Sequence, residues 1–420
     1  MSQIQKFYSE TSLLTRFVLA VLTIAIYYYV YRYALQYNDE NTSPTYTATP
    51  TIFKYGKYLL LLLVYLHFVL KGRIVTVNRK FGMGIYLYIV LFNSLLLLRL
   101  IIFGEIDTLK LMTISIIPLI YIKVAWSELD FCKIEKFLYK FYVFAIIYEL
   151  VQLFLFFTQG RLPALAYEDS ISVRFGGPWD DPNGWGISLS FFIPFVYYYT
   201  AGLKKKVLVV IGILMLIASQ SLTAIGAFIC SCSLAEYMIH KKRRVLYLCI
   251  AFVVAFISYL FCEFFLSNSF IIDYMEMKQG SIDDHANSLS IFSDFEWYNY
   301  LIGIGTPFFN ESDYSNMLCF GGILMLLLYF MIALLNISQI YRIIKRQEAN
   351  LAFWKGVLTF QIAFLIASVN LPCTRMFYLY VLFNVFLCIS GLGQQSLGKS
   401  KSLTPENYYA GNSQNKYGVK

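Results

Sequence analysis

Between two apolar runs the chain reads Ser172-Val173-Arg174-Phe175-Gly176-Gly177-Pro178-Trp179-Asp180-Asp181-Pro182-Asn183-Gly184, with Arg161, Glu168 and Asp169 shortly before it. Such glycine and proline usage excludes a lipid-facing helix and predicts a folded, re-entrant or capping loop. Arginine suits the grip of a phosphate, because its planar fork donates bidentate hydrogen bonds and its charge is permanent. Arg174, Arg161 and, later in the chain, Arg375 are therefore candidates to hold an anionic group. The same residues admit a structural reading, in which each arginine pairs with a carboxylate such as Glu168 or Asp181 and Pro-Asn-Gly is a turn ahead of a helix.

A second polar stretch carries Asp283-Asp284-His285, then Gly303-Ile304-Gly305, then Glu311-Ser312-Asp313-Tyr314, and runs into an apolar segment containing Gly321-Gly322. A carboxylate among Asp180, Asp181, Glu311 and Asp313, or the imidazole of His285, is the kind of group a general base requires. Against that, Glu311 and Asp313 stand where a helix N-terminus favours negative charge. The Gly-x-Gly has no strand before it, so a close backbone turn is its meaning rather than a nucleotide loop. Most of the 35 tyrosines and 37 phenylalanines read as lipid-facing bulk. Trp179, Trp185 and Trp297 stand apart as flat platforms for a sugar.

The elements that must position these residues are helices in lipid. The 420 residues are 58% hydrophobic and 14% charged, with mean hydropathy +0.60, against about 25% charge in a soluble domain. Solid apolar runs recur along the chain, and in a bilayer each must satisfy its own backbone as a helix. A β-barrel would show alternating segments instead. The fold class expected is all-α, a polytopic bundle of twelve spans near 13–36, 56–70, 82–103, 109–126, 137–158, 184–200, 206–218, 222–239, 245–265, 316–339, 353–370 and 375–392. The first span is longer than a signal-peptide core and is expected to be retained. Residues 1–392 form the membrane domain, with long outer loops at about 158–183 and 266–314, and residues 393–420 form a polar, disordered cytoplasmic tail.

Charge supports this layout. With a cytoplasmic N-terminus, the inner segments hold most of the 34 Lys and Arg, including Lys204-Lys205-Lys206 and Lys241-Lys242-Arg243-Arg244, as cytoplasmic loops should. Both termini are then cytoplasmic and the protein lies in the plasma membrane. Arg99 falls inside the third span, near enough to its outer end to snorkel. The net charge of +9 is dispersed as topology signals, so nucleic acid is not an expected partner. The eight cysteines suggest neither a disulfide framework nor a zinc site.

Taken in order, these motifs resemble a known family. Arg174 to Gly186, with its arginine, glycines, Pro182-Asn183 and Gly186, resembles the outer-loop signature of the O-antigen ligase and polymerase superfamily, in particular the Wzy-type capsular and exopolysaccharide repeat-unit polymerases. Ser219-Gln220-Ser221-Leu222-Thr223-Ala224 resembles the serine-rich start of a following span. Gly303-Ile304-Gly305, Glu311 to Tyr314 and Gly321-Gly322 resemble the closing pattern. The likeness covers roughly residues 130–390. It departs where an arginine is common after the serine-rich turn, and where ligases carry a histidine before the late span.

The resemblance implies a membrane glycosyltransferase that joins polyprenyl-pyrophosphate-linked oligosaccharides on the extracytoplasmic face, with no cofactor and no obligatory metal. A flippase and a chain-length regulator are the implied protein partners, beside the lipid bilayer. Arg174, with Arg161 or Arg375, would stabilise the leaving pyrophosphate. Three alternatives stay open, the last of them a non-catalytic assembly or length-control protein. A flippase or other carrier would line a pathway with charges inside several spans, whereas the mid-span ionisable residues here are few and no internal repeat is evident. A ligase would move the glycan to a different acceptor.

Overall fold

The computed structural model describes residues 15–28, 51–71, 79–104, 107–119, 130–159, 166–168, 173–179, 181–240, 292, 295–303, 312–346 and 350–400. They form an all-α bundle. Its helices are α1 (Thr15–Tyr28), α2 (Thr51–Lys71), α3 (Arg79–Phe103), α4 (Asp107–Ser115), α5 (Phe131–Gln159), α6 (Pro182–Tyr199), α7 (Gly202–Ala218), α8 (Leu222–Ile239), α9 (Trp297–Ile302), α10 (Asp313–Lys345), α11 (Leu351–Ala367) and α12 (Phe377–Ser400). Among the described residues, Gly84–Ile102, Phe131–Phe154, Leu222–Ile239 and Asp313–Lys345 are long and apolar enough to cross a membrane. Shorter apolar helices accompany them at Thr15–Tyr28, Tyr55–Leu70, Leu351–Ala367 and Phe377–Ser390.

Local chemistry sets the helix starts. Asp181 caps α6, its carboxylate accepting from the amides of Asn183 (3.0 Å) and Gly184 (3.2 Å), with Pro182 supplying a first-turn residue that needs no donor. Ser221 caps α8 through the Ala224 amide at 3.2 Å, and Ser312 caps α10 through the Ser315 amide at 3.4 Å. α6 and α11 form the centre of the bundle and are buried along most of their length. The rings of Phe191 and Phe386 meet there at 4.9 Å, and those of Phe353 and Phe386 at 5.8 Å. Where lipid removes the hydrophobic drive between helices, packing and polar ties hold them. Here Tyr88 and Tyr380 share a hydrogen bond of 3.2 Å between α3 and α12, and Ser390 Oγ on α12 donates to Asn336 Oδ1 on α10.

The structure departs from or adds to four expectations. The span expected over 109–126 is interrupted: α4 stops at Ser115 and a 3-10 turn follows at Ile117–Leu119, because Pro118 lacks an amide and restricts the residue before it. The span expected over 316–339 is one merged helix broken at Gly321 and Gly322, the latter at φ +64°. The last helix runs to Ser400, past the expected boundary at 392, despite Gly391, Gly393 and Gly398 and with no proline before Pro405. The first long loop holds a small antiparallel ribbon, β1 (Ala166–Glu168) with β2 (Val173–Phe175), in which Tyr167 pairs with Arg174. The span expected over 245–265 and most of the second long loop lie outside the described residues.

Candidate functional site

Arg174 stands in β2, half-buried. Its Nε donates to the Ser219 carbonyl at 3.2 Å and one Nη donates to Asn183 Oδ1 at 3.0 Å. Ser219 lies in the turn between α7 and α8, and Asn183 in the first turn of α6. One guanidinium thus fixes the ribbon to two helix ends. The same α6 end carries Asp181, whose second oxygen accepts from the Tyr378 hydroxyl at the start of α12.

Trp179 and Trp185, expected as exposed sugar platforms, are instead packed inside the bundle. They are 1% and 0% exposed, because the 3-10 turn Gly177–Trp179 dips into the bundle. The Trp179 indole stacks on the Tyr378 ring at 4.2 Å, meets Trp185 edge-on at 5.4 Å, and donates Nε1 to the Ile26 carbonyl of α1 at 3.2 Å. Trp185 donates to Glu149 of α5 at 3.1 Å. Both rings are the packing that holds the loop down. Trp297 is the contrast, 73% exposed at the start of α9.

Asp313, expected as a candidate base at an outer surface, is instead engaged by the fold. It is fully buried, with Oδ1 accepting from the Thr374 hydroxyl at 2.6 Å and Oδ2 from the Thr374 amide at 2.9 Å and the Ser368 hydroxyl at 3.2 Å. These three hydrogen bonds tie the start of α10 to the α11–α12 connection. Asp181 is committed in the same manner, to the α6 amides and to Tyr378. Both carboxylates act on Cys373, whose thiol is pushed well above its usual range by burial and then by the Asp313 and Asp181 charges.

Arg375, next to Thr374, sets its guanidinium carbon 5.6 Å from the Phe320 ring centroid, and Arg99 of α3 approaches the same ring at 4.9 Å. Arg99 is 4% exposed and so does not snorkel. It donates to the carbonyls of Cys319 (3.1 Å) and Phe320, the groups that the break in α10 deprives of helical partners. Gly303 of the Gly-x-Gly meets the Gly321-Gly322 pair at this break. Gly303, at φ +80°, lies against the Cys319 carbonyl, and Gly322 against the Leu301 carbonyl. Gly303 therefore marks a close approach of two backbones.

No family model and no curated protein matches this chain. The reading of the site rests on its own geometry. The structure brings Arg174, Asp181, Trp179 and Trp185 together around the start of α6, and Arg375 and Asp313 together at the start of α10, the two groups joined through Tyr378 and the 374–378 segment. Arg161, Asp180, His285 and Glu311 lie outside the described residues. Among the described residues, no three His, Cys, Asp or Glu side chains converge as a metal ion would require. Sequence reasoning missed Tyr378, Thr374 and the capping role of Arg99. A tyrosine four residues after a threonine at a helix start carries no special signal, whereas an arginine placed opposite a Gly-Gly in another span is a pattern that could have been weighed.

Proposed function

We propose that this chain is a twelve-span plasma-membrane protein with both termini in the cytoplasm, and that it joins polyprenyl-pyrophosphate-linked oligosaccharides on its outer face. The observation that carries the reading is the environment of Arg174. Three separate features of the resemblance, the loop arginine, the Asn183 of its Pro-Asn pair and the Ser219 of the serine-rich turn, meet at one guanidinium. A cation held by a group nine residues away and another 45 residues away is a built feature rather than a loose connector.

In the proposed reaction an acceptor sugar hydroxyl attacks the anomeric carbon of the donor. The bond from that carbon to the diphosphate oxygen breaks, and the lipid diphosphate departs with the electron pair. Arg174 is held from behind by Ser219 and Asn183, so its orientation is set before charge develops on the leaving group, which is how preorganised donors accelerate a reaction. Arg375, half-buried at the start of the neighbouring helix, is the second cation of the described residues offered to the diphosphate. With Asp181 and Asp313 engaged as helix caps and ties, the base that takes the hydroxyl proton is proposed among Asp180, Glu311 and His285. Trp297, exposed beside the break in α10, is the aromatic surface left for a sugar ring.

A carrier for the same lipid-linked glycan is the second reading. The broken helix α10 favours it, since discontinuous helices build transport sites. Arg99 weighs on the other side, because a fixed internal cation already occupies the carbonyls freed by that break. The test is Arg174→Ala, expressed in a host that supplies the lipid-linked unit. The variant is expected to insert normally and yield no polymer, and normal chain length would remove Arg174 from the mechanism.

A further inference from the structure

The short segment 374–378 stands between the two groups of the candidate site, and a carboxylate holds it at each end. At its start, Asp313 of α10 accepts from the Thr374 hydroxyl at 2.6 Å and from the Thr374 amide at 2.9 Å. One helical turn later, the Tyr378 hydroxyl donates to Asp181 at the start of α6. Arg375, half-buried, lies between the two held residues.

Tyr378 is fitted closely to this place. Its side chain is buried, and its ring stacks on that of Trp179 at 4.2 Å with 17° between the planes. The first turn of α6 is its other neighbour. A Cβ on Gly184 would fall inside contact distance of the Tyr378 hydroxyl and 2.6 Å from its Cε2, and the Trp179 stack resists any swing of the ring. Gly184 lies inside α6, so its missing side chain serves not a turn but the space through which the tyrosine reaches Asp181. That carboxylate gives Oδ1 to the amides of Asn183 and Gly184 and Oδ2 to Tyr378. The group that starts α6 also fixes α12 to it.

We propose that Tyr378 is the positioning residue that sets Arg174 and Arg375 relative to one another. Arg174 is tied to α6 through Asn183, two residues from Asp181, and Arg375 precedes Tyr378 by three residues. The hydroxyl-to-carboxylate bond therefore joins the two elements that carry the cations. The inference rests on the glycosyl transfer proposed above, in which both guanidinium groups meet one diphosphate. Two donors act together on a leaving group only while their separation is held, and misplacement by about 1 Å can lower a rate about a hundredfold. Tyr378 touches no reacting atom in this scheme and acts through the two helix starts.

The bond can be cut from either end with the packing kept. Tyr378→Phe removes the hydroxyl and leaves the ring on Trp179, while Asp181→Asn remains a good N-cap but has a single oxygen, which the α6 amides take. For the full chain in neutral detergent, amide hydrogen exchange over 173–179 and 374–378 is followed by mass spectrometry, and kcat and KM per folded molecule are measured with a polyprenyl-diphosphate oligosaccharide. Each variant is expected to speed exchange in both segments and to lower kcat about ten- to hundredfold. KM should change little, the signature of an interaction made only in the transition state. The double variant should fall no further than the lower single one, because both changes act on one bond. Should Tyr378→Phe not fold, Asp181→Asn decides by the same readings. Parent-like exchange, parent-like kcat per folded molecule, or losses that add in the double variant would each overturn the proposal. Polymer from Arg174→Ala would instead remove the transfer mechanism on which it rests, so the two failures are told apart.

Discussion

Adding one methyl group at Gly322 tests whether the break in α10 is built or incidental. Gly322 adopts φ +64°, and a Cβ placed on it would fall inside contact distance of the Leu301 carbonyl and 2.6 Å from the Ile302 amide nitrogen. The left-handed conformation costs an L-residue about 1–2 kcal/mol. Forcing backbone apart in a packed interior adds about 1–3 kcal/mol, so Gly322→Ala is expected to destabilise by about 2–5 kcal/mol in total. The control is Gly226→Ala in α8, where a Cβ meets nothing within 4 Å. There the substitution should stabilise by about 0.5–1 kcal/mol, because alanine loses less backbone entropy in a helix. Both variants are unfolded by heat in neutral detergent with helicity followed by circular dichroism. Equal midpoints for the two variants would refute the claim that α9 and α10 touch through their glycines.

Other consequences are open to simple assays. Trp179→Ala should destabilise by about 3–5 kcal/mol, as the loss of a fully packed aromatic does, whereas Trp297→Ala should leave the unfolding midpoint unchanged and weaken acceptor use; a reversed pattern would restore Trp179 as a sugar platform. Asn183→Ala removes one of the groups that aim Arg174, and should lower polymer formation while costing no more stability than one charged hydrogen bond, about 1.5–3 kcal/mol. Cys373 should resist maleimide from neutral pH up to about pH 9, since its thiol is raised by burial and by Asp313 and Asp181 and the thiolate needed for reaction forms only above that raised value. Exposed Cys132 should label under the same conditions, and peptide mass mapping distinguishes the two.

The sequence made the helices of the described residues legible because apolar runs in lipid have one backbone solution, and it made Arg174 legible because an arginine among glycines and prolines stands out. What it left hidden is which way loop residues face. Trp179 and Asp313 carry the same letters whether they line a cleft or plug one, and only the tertiary course of the 3-10 turn and of the 368–376 connection turns them inward. Arg99 was misread for the same reason: its partners, Cys319 and Phe320, are carbonyls supplied by a break 220 residues away, and a backbone carbonyl has no sequence signature. The interruption at Pro118 was written in the chain, as one proline in an otherwise apolar run, and hydropathy outweighed it.

The most direct measurement offers the purified protein a polyprenyl-diphosphate oligosaccharide, with no other acceptor and no nucleotide sugar, and resolves the products by size. The account predicts a ladder of whole-number multiples of the repeat unit that is absent with Arg174→Ala. Unchanged lipid-linked oligosaccharide, from active preparations that bind it, would contradict the account.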